Sequence, residues 1–399
     1  MSDQDPWKSW YQTEQSSSDG PAMDATHDMT VQAPVTDGGG NGGNGVGAAP
    51  AWPAQPPPVS PPGGPPYPGA PARGRSRRFW GQPGRRGRRI ALIVGIVVVL
   101  LIGSLAGSYF WINGKLNRSV ALPAFSGTSA GTNWLIVGSD TRDGLTRQQI
   151  DELHVGDQGA NASDSLMLLH MGGGKPVLIS IPRDSYVPIP GYGENKINAA
   201  LAFGGPALLV KTVEQVTGLR IDHYMGIDFS GLVSVVNTVG GVRICLPTAL
   251  DDSYSGVKLS KGCHNLNGTQ ALAFVRDRHS FATSDLQRIQ DQRAFLKALL
   301  SKATSPGVYL NPFVSFGFAS TAAGSIAVDK GTSLYDLVQA AEALRNPETG
   351  TVPISNANYI TSNAGDAVLW DRAQALELFN ALQQDKTVPA GLLSGTTVG

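Results

Sequence analysis

The chain has 399 residues and no formal net charge, its 31 basic residues balancing 31 acidic ones. Residues 1–72 are dominated by Gly, Pro, Ser, Ala and Asp and cannot bury enough apolar surface to offset the entropy of ordering, so a folded domain is excluded there and disorder is predicted. The zero net charge conceals an asymmetry: residues 1–72 carry seven acids and one lysine, whereas 73–89 carry eight arginines (Arg73, Arg75, Arg77, Arg78, Arg85, Arg86, Arg88 and Arg89) and no acid.

The arginine run leads directly into Ile90–Ile112, IALIVGIVVVLLIGSLAGSYFWI, 23 residues without a charge. As a helix this run is roughly 35 Å long, enough to cross a bilayer. It is longer than the apolar part of a signal peptide and begins too late in the chain to be one. Tyr109, Phe110 and Trp111 stand where an aromatic belt meets the far interface. The arginines flank the amino-terminal side, and only Lys115 and Arg118 follow closely. The positive-inside rule then puts 1–89 in the cytoplasm and 113–399 outside, a single-pass cell-membrane topology. In that context the 73–89 segment is a topology signal and an anionic-lipid contact, and no nucleic-acid partner is expected. Both cysteines, Cys245 and Cys263, fall in the exported part, where a disulfide between them is expected. The pair Cys263-His264 lacks the ligand count of a zinc site.

Residues 113–131 are predicted as a linker, 132–385 as the extracytoplasmic domain and 386–399 as a flexible tail. Trp134–Gly138 predicts a buried strand, and 141–163 an exposed loop. Ser165–Met171 and Val177–Ile181, separated by GGGKP, predict a hairpin. Leu208–Val216 has helical spacing, with Pro206 suited to a first turn. A strand over His223–Phe229 follows, then a helix over Leu232–Val239 closed by Gly240-Gly241, then a strand over Val242–Leu246. This alternation predicts an α/β domain with helices on both faces of a sheet. A long helix is predicted from Asp285 to about Lys302, opened by a Ser284–Gln287 capping box. Its apolar stripe is Leu286, Ile289, Leu296 and Leu300; Asp285, Arg288 and Gln292 share another face.

Four stretches are too polar for the apolar runs they interrupt. GSDTRDG places Asp140 and Arg142 after a buried strand, and SDSLMLL places Asp164 at the mouth of the next. SIPRDSYVPIPGYGENKINAA holds Arg183, Asp184 and Lys196. AFVRDRHSFATSDLQRIQDQ holds Arg276 and Arg278, two apart and so co-directional in an extended chain. Acids at strand ends can hold Mg²⁺ with substrate phosphates, and arginines there clamp phosphate oxygens. Arg183, Arg276, Arg278 and Arg288 around one site would repel one another without an anion. The competing reading is surface salt bridges to Asp184, Asp277, Asp285 and Asp291. No nucleophile elbow, HExxH or phosphate-loop motif is present, and His223 and His279 are read as structural.

Six segments in register, WLIVGSDTR, SDSLMLLHM, SIPRDSYVPIPGYGENKINAALAFGGP, TGLRIDHYMGIDFSGLVSVVNTVGG, LNGTQALAFVRDRHS and SDLQRIQDQRAFLKALL, resemble the LytR-CpsA-Psr family of bacterial cell-wall enzymes. The resemblance implies a mixed central sheet flanked by helices (α-β-α) with an apolar tunnel for a polyprenyl chain. It implies transfer of a glycopolymer phosphate from a polyprenyl-pyrophosphate-linked glycan donor to a peptidoglycan hydroxyl. By the same resemblance Asp140 and Asp164 are the Mg²⁺-associated acids, and Arg183, Arg276, Arg278 and Arg288 the pyrophosphate contacts. Lys196, Asp285 and Gln292 match further active-site positions. The expected catalytic set is therefore Asp140, Arg183, Arg276, Arg278, Asp285 and Arg288. Two departures stand out: Ala162 occupies a position where many members have arginine, and the loop from Arg142 to Ser163 is long. The alternatives are hydrolysis of the lipid pyrophosphate by the same site, and a non-catalytic glycopolymer-binding or regulatory protein.

Overall fold

In the computed structural model the structure describes residues 85–141, 147–153, 163–277 and 284–393. The apolar run lies in one helix, α1 (Arg85–Gly114). Among the described residues it is the one helix long and apolar enough to cross a membrane. After it come β1 (Asn117–Val120), β2 (Thr132–Ser139), a short helix α2 (Arg147–Glu152), β3 (Ser163–Met171) and β4 (Val177–Ile181). A small hairpin, β5 (Tyr186–Ile189) and β6 (Gly193–Lys196), leads to α3 (Ala199–Thr217), β7 (His223–Ile227) and α4 (Phe229–Thr238). Four short strands follow: β8 (Val242–Leu246), β9 (Leu250–Asp252), β10 (Val257–Leu259) and β11 (Gly262–Leu266). Next are α5 (Gly268–Arg276), α6 (Ser284–Ala303), α7 (Pro306–Tyr309), α8 (Pro312–Ser325), β12 (Ile326–Asp329) and α9 (Leu334–Ala343). The described chain closes with β13 (Glu348–Thr351), β14 (Ile354–Thr361), β15 (Gly365–Trp370), α10 (Arg372–Gln383) and α11 (Ala390–Leu393).

Seven strands form one mixed sheet in the order β1-β12-β7-β2-β3-β4-β13. Its middle is antiparallel: β3 pairs with β2 on one side and with β4 on the other. β7 runs parallel to β2, and β13 parallel to β4. Trp134, Leu135 and Val137 are fully buried although they alternate between faces, so the sheet is covered on both sides. On one face Leu135, Val137, Leu168 and Ile179 pack with Leu209, Val210 and Val213 of α3 and with Leu378 and Leu382 of α10. On the other, Trp134, Met167, Leu169 and Leu178 pack with Ala340 of α9 and Leu296 and Leu300 of α6. The expected α-β-α sandwich is thus present, with its helices driven onto the sheet by these apolar stripes.

Several local expectations change. The segment expected as a linker, 113–131, contains the edge strand β1, which pairs in parallel with β12. Its sequence NRSV has little apolar content, and it is held as a strand by the ladder bonds β12 offers. The 141–163 segment contains α2. The strand expected over His223–Phe229 stops at Ile227 because Asp228 caps α4, its carboxylate accepting the Gly231 N–H at 2.7 Å. Helix α3 breaks at Gly204-Gly205, where Gly205 takes φ 67, and Pro206 opens the segment beyond the break. Cys245 and Cys263 face each other across β8 and β11 with Cα atoms 3.9 Å apart and form the expected disulfide.

Candidate active site

The sheet register brings four strand ends together. Gly138 of β2 lies opposite Ser165 of β3 and beside Ile227 of β7, and Leu166 of β3 lies opposite Ile181 of β4. Asp140 after β2, Asp164 at the start of β3, Arg183 after β4 and Asp228 after β7 therefore share one end of the sheet. In open α/β sheets, the crevice outside the carboxyl ends of the strands is where ligands bind. At Asp164 the β2–β3 register slips: Gly138 faces Ser165 but Ser139 faces Ser163, which leaves Asp164 as the extra residue of a bulge. Its side chain is outside the described set. The half-buried Asp140 sits in a turn tied by the Ser139 and Thr141 hydroxyls, with the Thr141 N–H donating to Ser139 Oγ at 3.1 Å.

Arg183 and Lys196 are gathered by Asp184. The Asp184 carboxylate meets Arg183 Nε at 3.2 Å and Lys196 Nζ at 3.2 Å, one oxygen for each cation. Lys196 reaches it because the β5–β6 hairpin folds back, placing Tyr186 opposite Lys196. The turn itself is locked from below: Ser185 Oγ donates to Pro182 O at 2.6 Å and accepts the Trp370 Nε1–H at 2.8 Å. The salt bridge to Asp184 that the sequence suggested is therefore present. Two cations meet one carboxylate, and these pairings hold the partly buried cluster in position.

Arg276 differs from its expectation. It does not lie in extended chain but closes α5, a helix opened by an Asn267–Gln270 capping box. Its guanidinium lies 5.2 Å from the centre of the Phe229 ring and donates to Leu153 O at 3.3 Å. Phe229 is the first residue of α4, directly beyond β7, so Arg276 stands at the same end of the sheet. Arg278, Arg142, Ala162 and His279 lie outside the described residues. Gln292 donates to Val275 O at 3.5 Å, bonding α6 to a carbonyl that the end of α5 leaves without a helical partner.

Asp285 and Arg288 lie in the first turns of α6; their side chains, and those of Ser284 and Gln287 of the expected capping box, are outside the described set. The path of α6 shows where those turns go. Leu300 and Leu296 pack over the Leu178 region, while Arg293 donates from Nε to Ser180 Oγ at 3.0 Å and from Nη2 to Thr351 Oγ1 at 3.0 Å and to Gly350 O. The helix therefore runs antiparallel to β4. Arg288 and Asp285 precede Arg293 by five and eight residues, which carries the backbone about 7–12 Å further toward Arg183. Burial lowers the Arg293 pKa to about 10. Sequence reasoning missed Arg293, yet a signal was present: with Ile289, Leu296 and Leu300 it occupies the apolar stripe. A charge in such a stripe indicates a buried clamp.

A cavity of about 500 Å³ opens beside the Asp140 turn, lined by Ser139 and Thr141, by Tyr224 and Gly226 of β7, and by Leu201 and Pro206 of α3. Gly226 lets the Tyr224 ring lie close against the strand: a Cβ there would meet the ring at 2.9 Å.

An α-β-α sandwich with acids and arginines gathered at one end of a mixed sheet, preceded by one long apolar helix, defines the class. The pattern of the LytR_cpsA_psr family matches residues 111–384, and the chain belongs to that family. It is 44% identical to the probable cell wall biosynthesis protein LcpB of Corynebacterium glutamicum, over 73% of this chain and 69% of that one. It is 37% identical to the polyisoprenyl-teichoic acid–peptidoglycan teichoic acid transferase TagT of Bacillus subtilis, over 37% of this chain and 48% of that one. Among solved structures, a LytR-Csp2A-Psr enzyme from Actinomyces oris matches with a TM-score of 0.53 at 22% identity, covering 67% of this chain and 96% of that one, and so shares the fold. The structure of TagV from Bacillus subtilis matches with a TM-score of 0.50 at 25% identity, covering 64% and 99%.

Proposed function

We propose that this protein, a member of a family of cell-wall transferases, moves a glycopolymer phosphate from a polyprenyl-pyrophosphate carrier to a hydroxyl of peptidoglycan, outside the cell. One observation carries the reading. The sheet end that gathers Asp140, Asp164, Arg183 and Arg276 is also the end from which α1 leaves. Ile326 at the start of β12 lies opposite Ile227 at the carboxyl end of β7, and Asn117 at the start of β1 lies beside Ala327. With α1 spanning the bilayer, the charged end faces the surface where a lipid-linked donor resides. The arginines that flank the apolar run on its amino-terminal side orient α1 with residues 1–89 inside.

In this mechanism the pyrophosphate sits against the Arg183–Asp184–Lys196 cluster and Arg276, with Arg278 and Arg288 completing the cationic wall. Asp285 and Gln292 of α6 would act beside it. The acceptor hydroxyl gives its proton to a carboxylate, Asp140 or Asp285, and its oxygen bonds to the sugar-linked phosphorus. The bond from that phosphorus to the bridging oxygen breaks, and polyprenyl phosphate leaves. Charge neutralisation and in-line positioning carry the rate. Asp140 and Asp164 would supply the one or two carboxylates through which Mg²⁺ binds alongside phosphate oxygens and water. Among the described residues no group of three or more His, Cys, Asp or Glu offers a fuller protein cage. When bound, the ion would supply charge neutralisation at the phosphate oxygens. The test is transfer by the purified full chain from a lipid-linked donor to peptidoglycan. Loss of transfer in Arg183→Ala supports the assignment, and full activity in that variant overturns it.

A further inference from the structure

Two segments enter the sheet in the same way, a helix followed by a strand. α1 leads into β1, α8 leads into β12, and the two strands are parallel neighbours. The two helices also run side by side in the same direction, and their contacts fix the register. Trp111 stacks on Phe316 with ring centroids 5.0 Å apart, and Lys115 donates to Ser320 Oγ at 3.2 Å. Ile112 and Leu116 are buried against Ala319 and Ala323. Trp111 belongs to the aromatic end of the apolar run. Phe313, one turn before Phe316, therefore falls level with Ser108, inside that run.

The chemistry of this tip suits lipid. Phe313 is 87% exposed and Leu310 74% exposed. No Asp, Glu, Lys or Arg occurs between Lys302 and Asp329. The first helical position of α8 is Pro312, which has no N–H to satisfy, and the Asn311 side chain accepts the N–H groups of Phe313 and Val314 at 3.1 and 3.3 Å. Donors that would be costly in a region of low polarity are thus already paired.

We propose that Leu310–Phe316 inserts into the interface of the same bilayer that α1 spans, on the side of the folded domain, as a second and shallower anchor. This rests on α1 being a membrane span and is independent of the transfer reaction. Two anchors side by side fix the tilt of the domain. The far end of α8, at Gly324 and Ser325, lines the cavity beside the Asp140 turn. The helix therefore links the lipid surface to the candidate site.

The test uses the full chain in phosphatidylglycerol vesicles, with an environment-sensitive fluorophore on one introduced cysteine and a lipid carrying a quencher high on its acyl chain. Cys245 and Cys263 are paired, so the label goes to one site. Phe313→Cys, with Leu310→Cys as a second reporter should the first disturb folding, is compared with Ser108→Cys in the span. Lys175→Cys, at the hairpin tip at the far end of the sheet, is the negative control. The label at 313 or 310 is expected to be quenched nearly as strongly as at 108 and several-fold more than at 175. Quenching at 313 and 310 no greater than at 175, with 108 quenched, overturns the proposal. So does a blue-shifted label at 313 that lipid does not quench, which would make the tip a protein contact. Absence of quenching at 108 overturns both this proposal and the span on which it rests, while leaving the chemistry of the site untouched.

Discussion

The two ends of the central sheet carry similar residue types arranged to opposite effect. At the far end, several acids and histidines are matched to neighbours. Asp222 accepts the Asn133 N–H at 3.0 Å, and His170 Nδ1 pairs with the Asn133 amide oxygen at 2.8 Å. Asp329 accepts the Tyr224 N–H at 3.1 Å, bonds the Thr332 hydroxyl and lies 3.4 Å from His223. At the near end, two cations share one carboxylate, and Arg276 lies over the Phe229 ring. The far end ties its charges into a network that joins the strands; the near end sets its cations and acids at the mouth of the sheet. Residue type alone does not tell the two apart. Their place on the sheet does.

Substitutions sharpen that contrast, and the largest effect is expected on catalysis. Arg183→Ala should lower the rate of transfer by about 10²–10³-fold, as loss of one transition-state charge contact does. Its stability should move by about 1 kcal/mol or less, because the pair it makes with Asp184 is partly solvated. A denaturant titration beside the transfer assay separates the two quantities. Arg293→Met should do the reverse in order of cause. Losing the clamp on Ser180, Thr351 and Gly350 O should cost about 2–4 kcal/mol of stability. Transfer should fall only as far as α6 shifts. A variant that unfolds no more easily than the parent would break the claim that Arg293 positions α6.

At the far end, Asp329→Asn should cost about 1–3 kcal/mol and leave the transfer rate of the folded protein unchanged. Burial raises the Asp329 pKa, but hydrogen bonds from His223, Thr332 and the Tyr224 N–H outweigh it, and the net shift is downward. A carboxylate depressed in the folded state gives stability that is present above its unfolded value and lost as pH falls through its folded one. The variant should therefore flatten acid unfolding below about pH 4. The smallest effect is expected at Glu214, whose pKa burial raises to about 7, although the Ile221 N–H donates to it at 3.0 Å. Here the sign is opposite. The folded state binds the extra proton, so stability falls as pH rises from the unfolded value near 4.5 toward 7. Glu214→Gln should remove about 1–2 kcal/mol of that loss. Thermal unfolding from pH 4 to 8 would show the variant gaining on the parent up to about pH 7 and running parallel above it.

Much of the fold was legible because the apolar runs are strong. Trp134–Gly138 and Val177–Ile181 are buried on both faces of the sheet, and GGGKP marks the hairpin. β1 was not legible, since NRSV has no strand pattern and owes its state to β12, more than 200 residues away in sequence. The candidate site residues could be named singly, but their convergence depends on strand register, which local spacing does not encode. The helical state of Arg276 was misread although Asn267 and Gln270 stood three residues apart as a capping signal. Arg293 carries the charge of a polar face, whereas its spacing belongs to the apolar one. The uncharged stretch after Lys302 takes its meaning from the packing of α8 beside α1, which local sequence does not encode.

The central claim is that the near end of the sheet transfers a phosphate-linked polymer, and product analysis tests it most directly. The full chain is incubated with a polyprenyl-pyrophosphate-linked glycan and peptidoglycan, and both products are identified by mass spectrometry. The account predicts a glycan joined to the wall through one retained phosphate, with polyprenyl monophosphate released in equal amount. Glycan attached without phosphate, or glycan phosphate released to water whether or not peptidoglycan is present, would contradict it.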